Sequence, residues 1–336
     1  MDCPRHLRYV SDDTPGLTRK KRGRGFTYFD VEGIKISSAT ILERIKNLGI
    51  PPAWTKVWIC PLANGHLQCT GNDVKNRKQY IYHVDWVTYR KNGKFGKLAS
   101  FGELLPIIRE TVDKDMRKRG WPREKVLALV VYLMDRYYFR VGQQRYAREN
   151  NSYGIATLRR KHLREQTNSL TIKYVGKSGK LRRVDIDDRS IIRKIKQLSE
   201  LPGYEIFKYH NGNNQLQSID ASDINEYLRE ITGAEITAKD FRTWGGTKLS
   251  LAYYDDVCDE LRNHNTRKFE TALIRKVAEN LGNTVAVCRE YYIHPKVLHF
   301  LVQHYNEGKR QLPIDENTEK DIVEQYLLEL LTEPQI

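Results

Sequence analysis

Residues 170–186 read LTIKYVGKSGKLRRVDI. Leu170, Ile172 and Tyr174 alternate with other residues, Gly176, Lys177, Ser178 and Gly179 supply a turn, and Leu181, Val184 and Ile186 follow. Period-two spacing on both sides of a glycine-bounded turn predicts a β-hairpin. On either side the spacing is helical: Phe101, Leu104, Leu105, Ile108 and Val112 share one face, and so do Ile224, Tyr227, Leu228 and Ile231. Thr237 with Asp240, and Thr266 ahead of Phe269, are N-cap patterns, while Gly282 after Leu281 is a helix stop. A mostly helical domain interrupted by one hairpin is expected.

Ahead of it, residues up to about 90 carry short β-rich pieces at Phe26–Phe29, Lys56–Cys60, His66–Thr70 and Gln79–Val84, around one helix near Ala39–Leu48. The run Lys91 to Lys97 mixes glycines with charge and is expected to be a linker. The expected fold class is α+β, with a small β-rich domain over 1–90 and a larger, mostly helical one over 91–336.

Composition narrows the function. The chain has 336 residues and 40% hydrophobic content, enough for two cores. Its longest uncharged apolar run, Val126 to Met134, falls far short of the ~20 residues that span a bilayer. The charged N-terminus lacks a secretory signal, so the chain is expected to stay in the compartment where it is made. Five cysteines without paired metal-ligand spacing point to reduced thiols. His299 and His304 lie about 140° apart around a helix, a poor pair for one metal.

Fifty-seven Lys and Arg against forty-two Asp and Glu leave +15, the signature of a polyanion-binding protein, with nucleic acid the first candidate. Arg19, Lys20, Lys21, Arg22 and Arg24 form one basic cluster, and Lys75, Arg77, Lys78, Arg90, Lys91, Lys94 and Lys97 another. The tail from Asp315, with Glu316, Glu319, Asp321, Glu324, Glu329 and Glu333, is acidic and is expected to cap the back of a domain. Val175-Gly176-Lys177-Ser178 is no phosphate-binding loop, because Thr171 stands where glycine is needed and a strand follows instead of a helix. Phosphate chemistry without a metal would require fixed cations, a nucleophile and a proton donor.

Three segments offer that set: Phe139 to Tyr146, Lys239 to Thr247, and Leu281 to Thr284 followed by Tyr291, Tyr292, Ile293, His294 and Pro295. Together with the Lys177 hairpin they resemble the small type IB DNA topoisomerases of poxviruses and bacteria. Pro52-Ala53-Trp54, Val57 to Cys60, Gly65 to Gln68 and Arg77 to Tyr80 resemble that family's N-terminal module, so the resemblance covers nearly the whole chain.

The resemblance implies roles. Tyr292 matches the nucleophile that forms a 3′-phosphotyrosyl bond. Arg140 and Arg242 match two arginines whose forked donors suit phosphate oxygens, and Lys177 matches the hairpin lysine that protonates the leaving 5′-oxygen. Asn283 stands where poxvirus enzymes use histidine and the bacterial pattern has asparagine. Gln79, Tyr80 and Tyr82 match N-terminal positions that reach bases or phosphates, Tyr146 does so from the second domain, and Lys239 resembles a supporting lysine. Gln143 replaces a base-reading lysine, which argues against a poxvirus-like cleavage sequence.

It also implies a two-domain clamp on double-stranded DNA, relaxing supercoils as a monomer with no cofactor or required metal. The expected location is cytoplasmic and DNA-associated, in a bacterial nucleoid or in a virion or viral factory. Two alternatives remain: a tyrosine recombinase, which usually has histidine where Lys239 stands, and a non-catalytic architectural DNA-binding protein.

Overall fold

The structure, a computed structural model, describes residues 3–213, 215–262, 268–313 and 320–333. The chain divides into two compact units, Met1–Gly96 and Lys97–Ile336.

The first unit is built on a five-stranded antiparallel sheet: β1 (Leu17–Arg22), β2 (Gly25–Phe29), then, after α1 (Ala39–Asn47), β3 (Thr55–Ile59), β4 (Leu67–Asn72) and β5 (Lys78–Tyr82), in the order β2-β1-β3-β4-β5. Ile45 of α1 packs with Leu17, Ile36, Val57, Ile59 and Cys69 in its core. β1 was not expected, because its sequence is a basic cluster. Beyond Thr18 it pairs with β2 alone, so the cations lie on a two-stranded ribbon. There Arg19 stacks over Phe26 and Lys20 over Phe29, at 4.1 and 4.9 Å.

The two units divide between Gly96 and Lys97, inside the stretch expected to be a linker, but that stretch is helix and not turn. α2 runs Val84–Gly96, so all but the last residue of that stretch is helical. Trp86 and Phe95, both buried, hold this helix against packing partners despite its two glycines.

The second unit contains α3 (Leu98–Asp115), α4 (Arg123–Tyr137), α5 (Gln144–Asn150), a three-stranded sheet β6 (Leu163–Glu165), β7 (Leu170–Val175) and β8 (Leu181–Ile186), then α6 (Arg189–Glu200) and the small hairpin β9 (Lys208–His210) and β10 (Leu216–Ser218). It ends with α7 (Ala221–Thr232), α8 (Ala238–Ala252), α9 (Tyr254–Arg262), α10 (Phe269–Leu281), α11 (Val285–Tyr291), α12 (Pro295–Asn306) and α13 (Lys320–Thr332). The expected single hairpin is therefore one of two β features, and it gains β6 as a third strand.

α4 is the central helix. Val126 to Val131, Leu133 and Met134 are no more than 1% exposed, as a helix apolar on all sides must be. No described helix is long and apolar enough to cross a membrane. α8 starts at the expected box, Thr237 N donating to Asp240 Oδ2 at 2.7 Å. Thr266 lies outside the described residues, as do Asp315, Glu316 and Glu319. What is described of the acidic tail is α13, whose buried Glu324 accepts from Arg109 at 2.7 and 3.0 Å and from Lys248 at 2.6 Å. That ties the tail helix to α3 and α8.

One expectation about β8 fails. Leu181 is 61% exposed, because period two puts Arg182, Val184 and Ile186 on the inner face. An arginine occupies the inward position next to the turn.

Candidate active site

Two helix ends meet in the second unit. α4 terminates at Tyr138 in the left-handed region, φ 57°, and α10 at Gly282, φ 62°. Asn283 N donates back to Ala278 O at 2.8 Å, the closure that fixes the residue after such a stop. The last carbonyls of a helix have no partner within it and carry partial negative charge.

Arginines occupy these carbonyls. Arg242 of α8 donates through Nη1 to Tyr138 O and through Nη2 to Leu281 O at 2.9 Å. Arg140 donates through Nη2 to Gly282 O at 3.1 Å and to Asn283 Oδ1. Arg182 of β8 donates through Nη1 to Asn280 O and through Nη2 to Tyr137 O at 2.9 Å. Among the described residues none of the three pairs with a carboxylate. Two helix termini thus hold three guanidiniums together by partial charges that cannot neutralise them, and the cluster stays cationic. Burial, with Arg140 close by, pulls Arg242 down to about 10.

Tyr292 closes the cluster. It follows the last residue of α11, its N donating to Cys288 O at 2.9 Å, and the Arg242 guanidinium carbon sits 4.9 Å from its ring centroid. Burial opposes ionisation of this phenol, but Arg242, acting as charge and hydrogen-bond donor, outweighs it with help from Arg140 and Lys239. Its pKa falls below the ordinary tyrosine value. Tyr291 occupies the last helical position instead.

The close fit depends on Gly245 and Gly246 in the middle of α8, where glycine costs about 1 kcal/mol relative to alanine. A Cβ on Gly245 would lie 2.2 Å from the Tyr138 ring, and one on Gly246 would lie 2.3 Å from Tyr292 O. Thr247 then pins the chain beyond the tyrosine: its Oγ1 accepts from His294 N at 3.1 Å and donates to Thr243 O at 2.9 Å.

Arg140 can only donate, so Asn283 turns Oδ1 toward it. That leaves Nδ2 as a donor, and Nδ2 is buried without a partner, as is Arg242 Nε. A buried donor without a partner costs about 1–3 kcal/mol. Two such donors beside one tyrosine and three guanidiniums make a site short of an acceptor, which a phosphodiester anion would supply.

The structure thus brings Arg140, Arg242, Asn283 and Tyr292 together, with Lys239 exposed on the first turn of α8. Lys177 is exposed in the turn between β7 and β8, where Ser178 adopts φ 65°, and it follows Gly176, on which a Cβ would lie 3.9 Å from Arg140 Nη1. Gln143 caps α5, and Tyr146 on that helix is 50% exposed. In the first unit, Tyr80 and Tyr82 stack on one face of the edge strand β5, ring centroids 6.0 Å apart, with Lys78 over Tyr80. Gln79 faces the other way and donates to Asp73 Oδ2 at 3.0 Å.

Sequence reasoning passed over Arg182 and Lys180, which donates through Nζ to Asn283 O. The signal was present: counting by two from Ile186 puts an arginine inside the sheet. Among the described residues no group of three or more His, Cys, Asp or Glu is placed to hold a metal ion.

The eukaryotic DNA topoisomerase I catalytic core matches residues 83–318, and the N-terminal domain of bacterial DNA topoisomerase IB matches residues 25–73. DNA topoisomerase 1B of Acanthamoeba polyphaga mimivirus is 31% identical over 317 residues, 89% of this chain and 92% of that protein. DNA topoisomerase 1B of Vaccinia virus (strain Copenhagen) is 22% identical over 231 residues, 68% of this chain and 70% of that protein. A crystal structure of the XerH site-specific recombinase bound to palindromic difH substrate is 17% identical with a TM-score of 0.37, over 61% of this chain and 50% of that one, a likeness too slight to carry weight.

Proposed function

This chain belongs to the type IB DNA topoisomerases, and from that premise we propose that it relaxes supercoiled duplex DNA by cutting one strand through a 3′-phosphotyrosyl intermediate. The observation that carries this is the cationic cluster at the two helix ends, with Tyr292 under Arg242 and the donors Arg242 Nε and Asn283 Nδ2 unmet.

The steps follow from charge. The phenolate oxygen of Tyr292 attacks phosphorus, and the bond to the 5′-oxygen breaks. Arg140, Arg242 and Asn283 hold the non-bridging oxygens, where negative charge grows in the transition state. Lys177, on the exposed hairpin turn, gives its proton to the departing 5′-oxygen. The phosphotyrosyl ester keeps the energy of the broken phosphodiester, so the free 5′-hydroxyl end rotates about the intact strand and then attacks back without ATP. The guanidiniums supply the positive charge, so the mechanism calls for no metal.

The basic β1–β2 ribbon and the Tyr80–Tyr82 face suit the backbone and bases of duplex DNA, while Gln143, Tyr146 and Lys239 offer contacts from the second unit; Gln79, turned to the opposite face and bonded to Asp73, would have to leave that bond to reach DNA. Contacts to DNA from each unit, made by a monomer in a DNA-containing cytoplasmic compartment, complete the proposal.

The test is relaxation of supercoiled plasmid in EDTA without ATP, followed by denaturation to trap a protein–DNA adduct. Relaxation with an adduct supports the proposal. DNA binding with neither would instead favour an architectural protein.

A further inference from the structure

Lys177 is exposed, and the structure gives its side chain no hydrogen bond or ion pair among the described residues. Its place relative to Tyr292 and the arginines must therefore come from the root of its hairpin. Three ties hold that root. On the β7 side, Tyr153 N donates to Val175 O at 2.8 Å. On the β8 side, Lys180 donates to Asn283 O. Arg182 reaches furthest: one guanidinium bridges the end of α10, at Asn280 O, and the end of α4, at Tyr137 O.

Those carbonyls immediately precede the pair, Leu281 O and Tyr138 O, that Arg242 bridges. Arg182 and Arg242 are therefore consecutive rungs across the same two helix ends, one carrying the hairpin and the other facing Tyr292. The rung is well supported. Arg182 lies opposite the buried Tyr174 in the β7–β8 register, and its Cδ stands 3.2 Å from the place a Cβ on Gly282 would take.

We propose that Arg182 is a positioning residue for proton transfer, fixing the Lys177 hairpin to the two helix ends that hold the phosphoryl-binding arginines. It touches neither phosphate nor leaving group. It acts by keeping the proton donor and the phosphoryl site in one frame, and it rests on the phosphotyrosyl mechanism above with Lys177 as acid. A misplacement of about 1 Å can cost on the order of 10²-fold in rate. A lysine at this position has the charge but not the planar fork that spans two carbonyls.

The test uses the full-length protein, single-turnover cleavage, and two substrates: ordinary duplex DNA and the same duplex with a 5′-bridging sulfur at the scissile phosphate, whose thiolate leaves without a proton. Arg182→Gln and Arg182→Lys are each expected to cleave ordinary DNA about 10²-fold more slowly than wild type and to return to near the wild-type rate on the sulfur substrate. Lys177→Ala is the control and should show the same rescue. Arg182→Lys keeps the charge in the sheet and serves if Arg182→Gln fails to fold. If Lys177→Ala is rescued while both Arg182 variants stay equally slow on the two substrates, Arg182 supports the site generally and the proposal is overturned alone. If Lys177→Ala is not rescued, the acid role of Lys177 falls and this proposal falls with it. Wild-type rates in both Arg182 variants on ordinary DNA would also overturn it.

Discussion

Arg140 donates to Asn283 Oδ1, and the same asparagine keeps Nδ2 buried with no partner. One bond orients the amide and leaves its other end for a ligand. Asn283→Ala removes that donor and is expected to slow cleavage about 10²-fold. Asn283→Asp is nearly isosteric but sets a carboxylate against Arg140, neutralising charge where an anion must bind, so it should be slower still. Single-turnover cleavage of a short duplex compares them; an Asp variant as fast as the Ala variant would speak against an anion at this position.

Gly246→Ala should behave against helix propensity. In an open helix the change stabilises by about 1 kcal/mol, yet here the new Cβ would lie 2.3 Å from Tyr292 O. We expect lower thermal stability and cleavage slowed about 10²-fold or more through displacement of the tyrosine. A variant that is both more stable and fully active would show that α8 does not press on Tyr292.

The pH dependence of cleavage should expose the Tyr292–Arg242 pair. Burial raises a phenol's pKa, whereas the neighbouring cations lower it further than burial raises it, so Tyr292 ionises below the ordinary tyrosine value of about 10. The phenolate is the attacking form, so the rate should rise with pH to a midpoint below that value. In Arg242→Gln the cation is gone and burial remains, so the midpoint should move upward. An unchanged midpoint, alongside a lower rate, would mean Arg242 acts on the phosphate only.

Glu324 supplies a stability test remote from the phosphate. Burial raises its pKa, but Arg109 and Lys248 hold it down at about 2, below the 4.5 of an ordinary glutamate. With the folded value depressed, its contribution is present above about 4.5 and is lost as pH falls through about 2. Glu324→Gln leaves Lys248 without this carboxylate while Arg109 keeps Asp135, and should cost about 3 kcal/mol at neutral pH, the low end for breaking a buried pair. Between pH 4.5 and 2, chemical denaturation should show wild type losing stability faster than the variant.

The elements legible in sequence were those fixed by local chemistry: the 170–186 hairpin, the Thr237–Asp240 box and the Gly282 stop. Elements held by tertiary contacts were not. β1 is written in cations because Lys20, Lys21 and Arg22 stay exposed on the two-stranded ribbon, Arg19 donates to the Ile50, Pro51 and Trp54 carbonyls, and Arg19 and Lys20 cover phenylalanine rings. The Lys91–Lys97 stretch has turn composition, but packing of Trp86 and Phe95 carries α2 through it. The set Arg140, Arg242, Asn283 and Tyr292 could be assembled from the resemblance, and the structure brings its members together. Why they can coexist was not readable, since the partial charges of two helix ends, distant in sequence, are what hold them.

The central claim is that Tyr292, under Arg242, attacks the phosphodiester, and one measurement tests it most directly. Tyr292→Phe and Tyr291→Phe are each incubated with duplex DNA, denatured, and assayed for covalent adduct, with DNA binding measured in parallel. Tyr292→Phe should bind like wild type and form no adduct, because a phenyl ring offers no nucleophile, whereas Tyr291→Phe should form it. Adduct formation by Tyr292→Phe, or its loss only in Tyr291→Phe, would contradict the account.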